Sequence, residues 1–156
     1  MKKMVFAIMT ALTISMSAMA QSQGDKALGF NVSYGTDIKN VGVGVKGQYM
    51  FTENVRAEAS FDYFFEKDDT NMWDINANFH YLVPVADKVR FYPLVGLGIV
   101  SFYDSLTDAT VKLCLNAGGG IQYKLADDLA IGAEAKYQII NRHNQLVVGI
   151  GVALDL

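Results

Sequence analysis

Three residues near the middle of the chain could together do hydrolytic chemistry. Glu58, Ser60 and His80 supply a carboxylate, a hydroxyl and an imidazole. A histidine-activated serine needs these groups within hydrogen-bond reach of one another and of a substrate. The second histidine, His143, stands apart in the sequence, so there is no metal-ligand set, and we expect no metal and no cofactor. The single cysteine, Cys114, is expected to be an inert, buried thiol.

Whether these side chains meet depends on the strands that carry them, and the stretch 111–125 indicates what those strands are like. In VKLCLNAGGGIQYKL the odd-numbered positions carry no charge, whereas the even-numbered positions are small or polar. This period of two places successive side chains on opposite faces of a β-strand. Ordinary soluble strands run about 5–6 residues, whereas a tilted strand that crosses a bilayer needs about 9–11. This stretch is long enough to cross a membrane.

The same alternation recurs along the whole chain. It predicts eight strands, at residues 27–35, 41–51, 55–65, 73–83, 89–100, 111–125, 129–139 and 146–156. Tight turns at 52–54, 84–88 and 126–128 alternate with somewhat longer connections at 36–40, 66–72, 101–110 and 140–145. Short connections join neighbouring antiparallel strands. The chain is therefore predicted to be all-β, an eight-stranded antiparallel up-and-down meander.

Residues 1–20 have the features of a secretory signal peptide that is cleaved. Lys2 and Lys3 precede a mostly apolar run, and Ala18-Met19-Ala20 has the small-x-small form of a cleavage site. The apolar run is too short for a membrane anchor. We therefore expect an exported protein with one mature domain, 21–156. The net charge of −3 gives no indication of a nucleic-acid partner.

Alternation alone does not distinguish a soluble barrel, whose apolar face points inward, from a membrane barrel, whose apolar face points outward. The placement of aromatic residues favours the membrane barrel. They lie at the ends of the apolar face, and aliphatic residues lie between them. Aromatic girdles border the lipid-facing band of membrane barrels in the same way. The aromatic residues are Tyr34, Tyr49, Phe51, Tyr63, Phe65, Trp73, Tyr81, Tyr123 and Tyr137. The opposite face mixes long charged side chains with glycines, as a narrow packed lumen requires. An even number of strands also closes without leaving a sheet edge in lipid.

Two stretches carry a resemblance to a known family. FYPLVGLG at 91–98 and LNAGGGIQY at 115–123 are similar to segments that recur in small eight-stranded outer-membrane barrels of the OmpA and OmpX kind. The resemblance extends from Ala27 to Leu156. It implies a transmembrane β-barrel in the outer membrane of a Gram-negative cell envelope. It also implies a monomer surrounded by outer-membrane lipid and inserted by the barrel-assembly machinery. These motifs mark the architecture and no particular activity.

In such a barrel the polar face forms the lumen, and seven of its side chains are expected to form a structural charge network. They are Lys46, Arg56, Glu58, Asp62, His80, Glu134 and Lys136. Two glycines of the sixth strand, Gly118 and Gly120, are expected to lie opposite Lys136 and Glu134 across a hairpin. Glycine there would leave room for these long side chains. An eight-stranded barrel is filled by its own side chains. A substrate would have little access to Ser60, so we expect no enzyme.

Three functions remain open for a closed, filled barrel. The first is a structural or surface-interaction role, in which the barrel stiffens the envelope or presents short external loops. The second is a narrow channel for ions or small solutes, and the third is a lipid-modifying outer-membrane enzyme. We favour the first, because paired charges are expected to plug the lumen.

Overall fold

The computed structural model describes residues 23–67, 69–104 and 107–156. The predicted signal peptide lies outside these residues and stays a prediction. Within the described residues the chain forms nine β-strands: β1 Lys26–Gly35, β2 Asn40–Met50, β3 Val55–Lys67, β4 Thr70–Tyr81, β5 Val83–Ala86, β6 Val89–Asp104, β7 Thr107–Lys124, β8 Leu129–Ile140 and β9 Gln145–Asp155. None of these residues forms a helix long and apolar enough to cross a membrane.

The strands form one closed sheet. Apart from β4 and β5, strands that follow one another in the chain pair antiparallel, and two further ladders, β1 with β9 and β4 with β6, complete the ring. β5 pairs with β6 as a short extension beyond the end of β4, so eight strands of the described chain surround the lumen. The predicted fold, an all-β, eight-stranded antiparallel up-and-down transmembrane β-barrel, is confirmed.

The predicted fourth strand, 73–83, is interrupted at Leu82. The Leu82 N–H donates to the Asn54 carbonyl at 2.6 Å, and the Asn54 side-chain amide donates to the Leu82 carbonyl at 3.0 Å. Because Asn54 binds both backbone groups of Leu82, Leu82 leaves the ladder. The Leu82 side chain is buried inside the barrel. The chain then resumes as β5, Val83–Ala86.

The two ends of the barrel carry different connections. We call the end with connections 36–39, 68–69, 105–106 and 141–144 the loop end. The opposite end, where β1 begins and β9 ends, carries 51–54, 87–88 and 125–128, and we call it the turn end.

Two connections of the loop end are shorter than the sequence predicted. The expected loops 66–72 and 101–110 are wrong in extent, because β3, β4, β6 and β7 continue into them. The pair Lys67↔Thr70 closes one hairpin, and Thr70 in turn pairs with Asp104 of the next. The apolar alternation in the sequence stops before these polar residues. The backbone ladder continues through them, because its hydrogen bonds need no apolar side chains.

The two faces of the sheet divide as the alternation predicted. Aromatic and aliphatic side chains point outward and remain exposed, so Leu115 is 49% exposed while its neighbour Cys114, inside the barrel, is 1% exposed. The register also confirms that Gly118 lies opposite Lys136 and that Gly120 lies opposite Glu134. A strand of twelve residues such as β8 is about 40 Å long at roughly 3.3 Å per residue. At a tilt of about 40° it spans about 30 Å, enough to cross the hydrocarbon core.

Apolar side chains also point inward at both ends of the lumen, which the sequence analysis did not predict. The loop-end plug comprises Phe64, Met72, Val100, Cys114, Ile140 and Val147, all buried. The turn-end plug comprises Met50, Leu82, Tyr92 and Leu94. Between the two plugs the lumen is lined mainly by charged and amide side chains. The polar face of the barrel is therefore polar only in its middle.

The outward face gives a first testable prediction. Ala135 is exposed at the centre of β8, so Ala135→Arg should place a guanidinium near the bilayer midplane. We expect a loss of about 2–4 kcal/mol in the free energy of unfolding, measured by urea titration in phospholipid vesicles. Glu53→Arg, an exposed position in the turn 51–54, is the control and should cost far less. Equal losses would mean that the outward face or the depth of Ala135 is assigned wrongly.

Candidate functional site in the barrel lumen

The structure places all seven side chains of the predicted charge network in the lumen. Lys46 lies on β2; Arg56, Glu58 and Asp62 on β3; His80 on β4; Glu134 and Lys136 on β8. In the ring order β8 lies opposite β3, so the two side chains from β8 reach across the lumen. Inward projection follows from strand parity, whereas the contacts across the lumen follow from closure of the ring.

Lys46 bridges two carboxylates that come from opposite sides of the barrel. Its Nζ lies 3.6 Å from Glu58 Oε1 and 3.2 Å from Glu134 Oε1. The remaining Glu134 oxygen, Oε2, accepts a hydrogen bond from the Tyr92 hydroxyl at 2.9 Å, and Glu58 Oε2 accepts one from the Gln48 amide at 2.8 Å. One ammonium group thus compensates two desolvated carboxylates, whose other oxygens have neutral donors.

Arg56 and His80 form a second group, towards the turn end. The Arg56 guanidinium lies 2.8 Å from His80 Nδ1 through Nη2 and donates to Gln122 Oε1 at 2.9 Å. The Tyr92 ring lies 4.7 Å from the imidazole, and the guanidinium carbon lies 5.0 Å from the same ring. Because guanidinium N–H groups only donate, His80 Nδ1 accepts and the ring proton lies on Nε2. Nε2 faces Glu58 Oε1 at 3.7 Å.

A third group lies towards the loop end and contains a carboxylate that the sequence analysis left out. Asp62 Oδ2 lies 3.9 Å from the Lys136 ammonium, and its Oδ1 accepts a hydrogen bond from the Asn31 amide at 2.7 Å. Asp74 pairs with Asp62 across the β3–β4 ladder and is fully buried. It accepts hydrogen bonds from the Gln138 amide at 3.1 Å and from a neighbouring asparagine of β4. Asp74 and His80 both occupy even-numbered positions of β4, whose side chains point into the lumen. This alternation was the signal in the sequence that could have identified Asp74.

The serine, histidine and glutamate considered for hydrolysis do not form a catalytic set. Ser60 Oγ donates to Asp62 at 3.4 Å and accepts from the Asn76 amide at 3.3 Å. The His80 nitrogens face Arg56 and Glu58 instead. A nucleophile needs its base within hydrogen-bond reach, and these side chains are engaged elsewhere.

A possible metal site is occupied by the protein's own cations. Glu58, His80 and Glu134 each offer a ligand atom, and among the described residues these three atoms lie within 4.8 Å of one another. Lys46 already places its ammonium between the two carboxylates. The histidine nitrogen that faces them carries the proton, because Arg56 donates to the other nitrogen. A metal ion would therefore have to displace the Lys46 ammonium. It would also require the His80 proton to move to Nδ1, the nitrogen to which Arg56 donates.

The lumen wall between the charged strands β2 and β8, formed by β1 and β9, contains small residues. Gly29, Gly149 and Gly151 line a cavity of about 60 Å³ together with Lys46 and Glu134. A cavity of this size can hold a few water molecules. Among the described residues the buried oxygens of the Asn31 and Gln48 side chains, which also border this cavity, have no protein partner, and water can supply it.

Two positions of β7 have no space for a side chain. A Cβ at Gly118 would lie 2.6 Å from the Lys136 Cα. A Cβ at Gly120 would collide with the ring and hydroxyl of Tyr92. Both glycines lie opposite the predicted residues, but Gly118 allows close approach of the β8 backbone, and Gly120 makes room for the tyrosine that binds Glu134.

A closed sheet of eight membrane-spanning strands, apolar outside and filled inside, defines a transmembrane β-barrel with a narrow, packed lumen. The chain matches the model of the outer membrane protein beta-barrel domain family over residues 6–154, and it belongs to that family. It is therefore an integral β-barrel protein of the bacterial outer membrane.

Individual relatives are more distant. Outer membrane protein X of Escherichia coli is 28% identical over 116 residues, which cover 72% of this chain but only 64% of that protein. Two solved structures share the fold. The N-terminal β-barrel domain of Pseudomonas aeruginosa OprF has a TM-score of 0.72 at 17% identity, covering 87% of this chain and all of that one. Yersinia pestis Ail, the attachment invasion locus protein, has a TM-score of 0.61 at 19% identity, covering 86% and 99%.

The bridging lysine gives the second prediction. Lys46→Met should leave Glu58 and Glu134 buried without their shared cation, and we expect a loss of about 3–5 kcal/mol in the free energy of unfolding. Adding Glu134→Gln should restore part of it. Lys26→Met, at the exposed start of β1, is the control for removing a lysine. If both lysine variants unfold at the same urea concentration, the network does not stabilise the barrel.

Proposed function

We propose that this protein is a non-conducting, non-enzymatic barrel whose structural or surface-interaction role is carried by its loop end. The observation that carries the proposal is the β6–β7 hairpin, whose strand β7 extends beyond its neighbour β8, while on the other side β4 pairs with β6 as far as Asp104. The β7–β8 ladder ends at the pair Cys114↔Ile140, whereas β7 begins at Thr107. The residues 107–113 therefore continue for about 20 Å along the strand beyond β8.

This extension has one paired and one unpaired edge. β6 covers one side down to the pair Asp104↔Thr107. On the other side, within the part of the chain that the structure describes, no strand pairs with 107–113. An exposed strand edge presents free N–H and C=O groups that can add a strand from another polypeptide. Lys112, whose Nζ donates to the Asn141 carbonyl at 3.2 Å, places a charge at this edge, which limits indiscriminate pairing.

The lumen supports neither of the other two functions. A channel would have to pass both apolar plugs and the Lys46 bridge between Glu58 and Glu134. A lipid-modifying enzyme would need a nucleophile in contact with its base, and Ser60 binds Asp62 instead. The buried network is better explained as a satisfied polar core that makes the barrel rigid.

The partners that we propose follow from the outer surface. The apolar outward face binds outer-membrane lipid, and the barrel-assembly machinery inserts the strands during biogenesis. Because the described strands form a closed ring, none of them leaves a sheet edge within the membrane span to pair with a second copy, and we propose a monomer. No nucleic acid is among the proposed partners.

Conductance provides the third prediction. Protein reconstituted in a planar bilayer should show no large, steady conductance, because the two plugs and the paired charges fill the lumen. Bilayers that receive a porin of known step size serve as the positive control. Reproducible porin-sized steps from this protein would show that the lumen is open and that the channel function is the correct one.

Orientation provides the fourth prediction. In a Cys114→Ser background, Asp108→Cys places a thiol on the exposed part of the β6–β7 hairpin. A membrane-impermeant maleimide should label it on intact cells. Asp127→Cys, at the turn end, is the matched control and should react only after the cells are lysed. Labelling of Asp127→Cys but not of Asp108→Cys on intact cells would contradict the proposed role, because the loop end would then face the periplasm.

A further inference from the structure

A cavity of about 350 Å³ opens at the loop end, between the connection 36–39 and the β3–β4 hairpin. We call it the mouth cavity. It exists because two neighbouring strands separate there. The β2–β3 ladder ends at the pair Gly42↔Phe64, whereas β3 continues to Lys67.

Side chains hold the two walls of the mouth cavity in place of the ladder. The Asn40 side-chain amide donates to the Phe65 carbonyl. The Lys67 ammonium donates to the Lys39 carbonyl at 3.0 Å. The connection is thus fixed to the taller hairpin at two points, so the cavity is a built feature of the loop end.

The floor of the mouth cavity is apolar. Met72 belongs to the loop-end plug, and Ile38 and Phe102 pack against that plug. The Phe102 ring lies 5.3 Å from the His143 ring, which borders the cavity on the side of the connection 141–144. An apolar floor with polar groups around it is the usual composition of a small-molecule site.

Among the described residues that line the mouth cavity, two lysines stand beside one carboxylate. The lysines are Lys39 and Lys67. The lining carboxylate, Asp37, faces the His143 imidazole, with Oδ2 3.5 Å from Nδ1. The Lys67 ammonium has three donors and uses one of them on a carbonyl oxygen. Two ammonium groups are therefore available to an anion that enters the cavity.

We propose that the mouth cavity binds one phosphorylated or sulfated sugar unit of a glycan. The two lysines hold the anionic group, and the floor around Phe102 contacts the apolar face of the sugar ring. Asn71 and Thr70, which also line the cavity, supply neutral groups that can hydrogen-bond the ring hydroxyls. The volume lies at the low end of small-molecule pockets, so it fits a single unit and not a chain. The inference rests on the proposed function, because it requires that the loop end face the outside of the cell.

Calorimetry on the protein in detergent micelles tests the proposal, and it forms the fifth prediction. The probes are glucose 6-phosphate, glucose and inorganic phosphate. We expect glucose 6-phosphate to bind more tightly than either of the others, and its binding to weaken as salt is raised. Equal binding of inorganic phosphate would overturn the sugar, equal binding of glucose would overturn the anionic group, and no binding of glucose 6-phosphate would overturn the whole proposal.

Variants assign the binding to the cavity. Lys39→Met should weaken glucose 6-phosphate binding about tenfold, the loss of one good charged contact. The Lys39 side chain makes no hydrogen bond or ion pair with the described residues, so this variant should keep its thermal unfolding midpoint. Lys67→Met also removes the bond to the Lys39 carbonyl, and Lys67→Arg, which keeps charge and donors, should restore affinity. Lys26→Met at the turn end should bind like the unchanged protein. Loss of binding in Lys26→Met, or none in Lys39→Met, would overturn the site.

Vesicles distinguish the source of the sugar. Phospholipid vesicles are compared with vesicles that also contain lipopolysaccharide, a phosphorylated glycolipid. Weaker apparent binding of glucose 6-phosphate in the second set would identify a membrane-linked sugar as the occupant. Equal binding in both sets would identify a glycan from outside the membrane. Failure of the proposal is distinct from failure of the proposed function, because labelling of Asp108→Cys on intact cells does not depend on the mouth cavity.

Discussion

Hydrogen bonding of the backbone in a medium without water is the constraint on which the rest of this structure depends. Every N–H and C=O of a strand in hydrocarbon needs a partner, and a sheet provides one everywhere only when its first and last strands meet. Here the β1–β9 and β4–β6 ladders complete the ring. With eight strands the ring is so narrow that side chains fill it. Lumen packing, charge pairing and the absence of a wide pore all follow from that closure.

The narrow lumen determines which side chains can lie opposite one another. Large charged residues come mainly from β2, β3 and β8, and the wall between β2 and β8 contains glycines such as Gly149 and Gly151. Charges removed from water must be paired or hydrogen-bonded, so one lysine serves two glutamates and an arginine binds a neutral imidazole. Clusters of buried apolar side chains lie at both ends of this polar middle. Such a barrel is a rigid support, and its interactions with other molecules are made at its surface.

The loop end differs from the turn end because neighbouring strands stop at different heights. β7 continues past the end of β8, which leaves the strand edge 107–113, and β3 continues past the end of the β2–β3 ladder, which leaves the mouth cavity. Within the membrane every strand needs its neighbours, so equal heights are enforced there. In water the backbone can bind solvent instead, so neighbouring strands can end at different heights.

The alternation in the sequence was enough to predict the eight strands of the ring, their two faces and the register of the β7–β8 hairpin, although it predicted neither the break at Leu82 nor the ends of β3, β4, β6 and β7. A period of two specifies which side chains point inward, and a tight turn specifies which residues face each other, as for Gly118 and Lys136. It did not determine contacts between strands far apart in the chain. The approach of Lys46 to Glu134 depends on the tilt and stagger with which the ring closes, and neither is visible in a local pattern. The plugs were missed because Phe64 and Leu94 have inward parity but apolar chemistry. Hairpin heights were missed because a backbone ladder continues without apolar side chains, so the ends of β3, β4, β6 and β7 are known only from the strand pairing of the folded barrel.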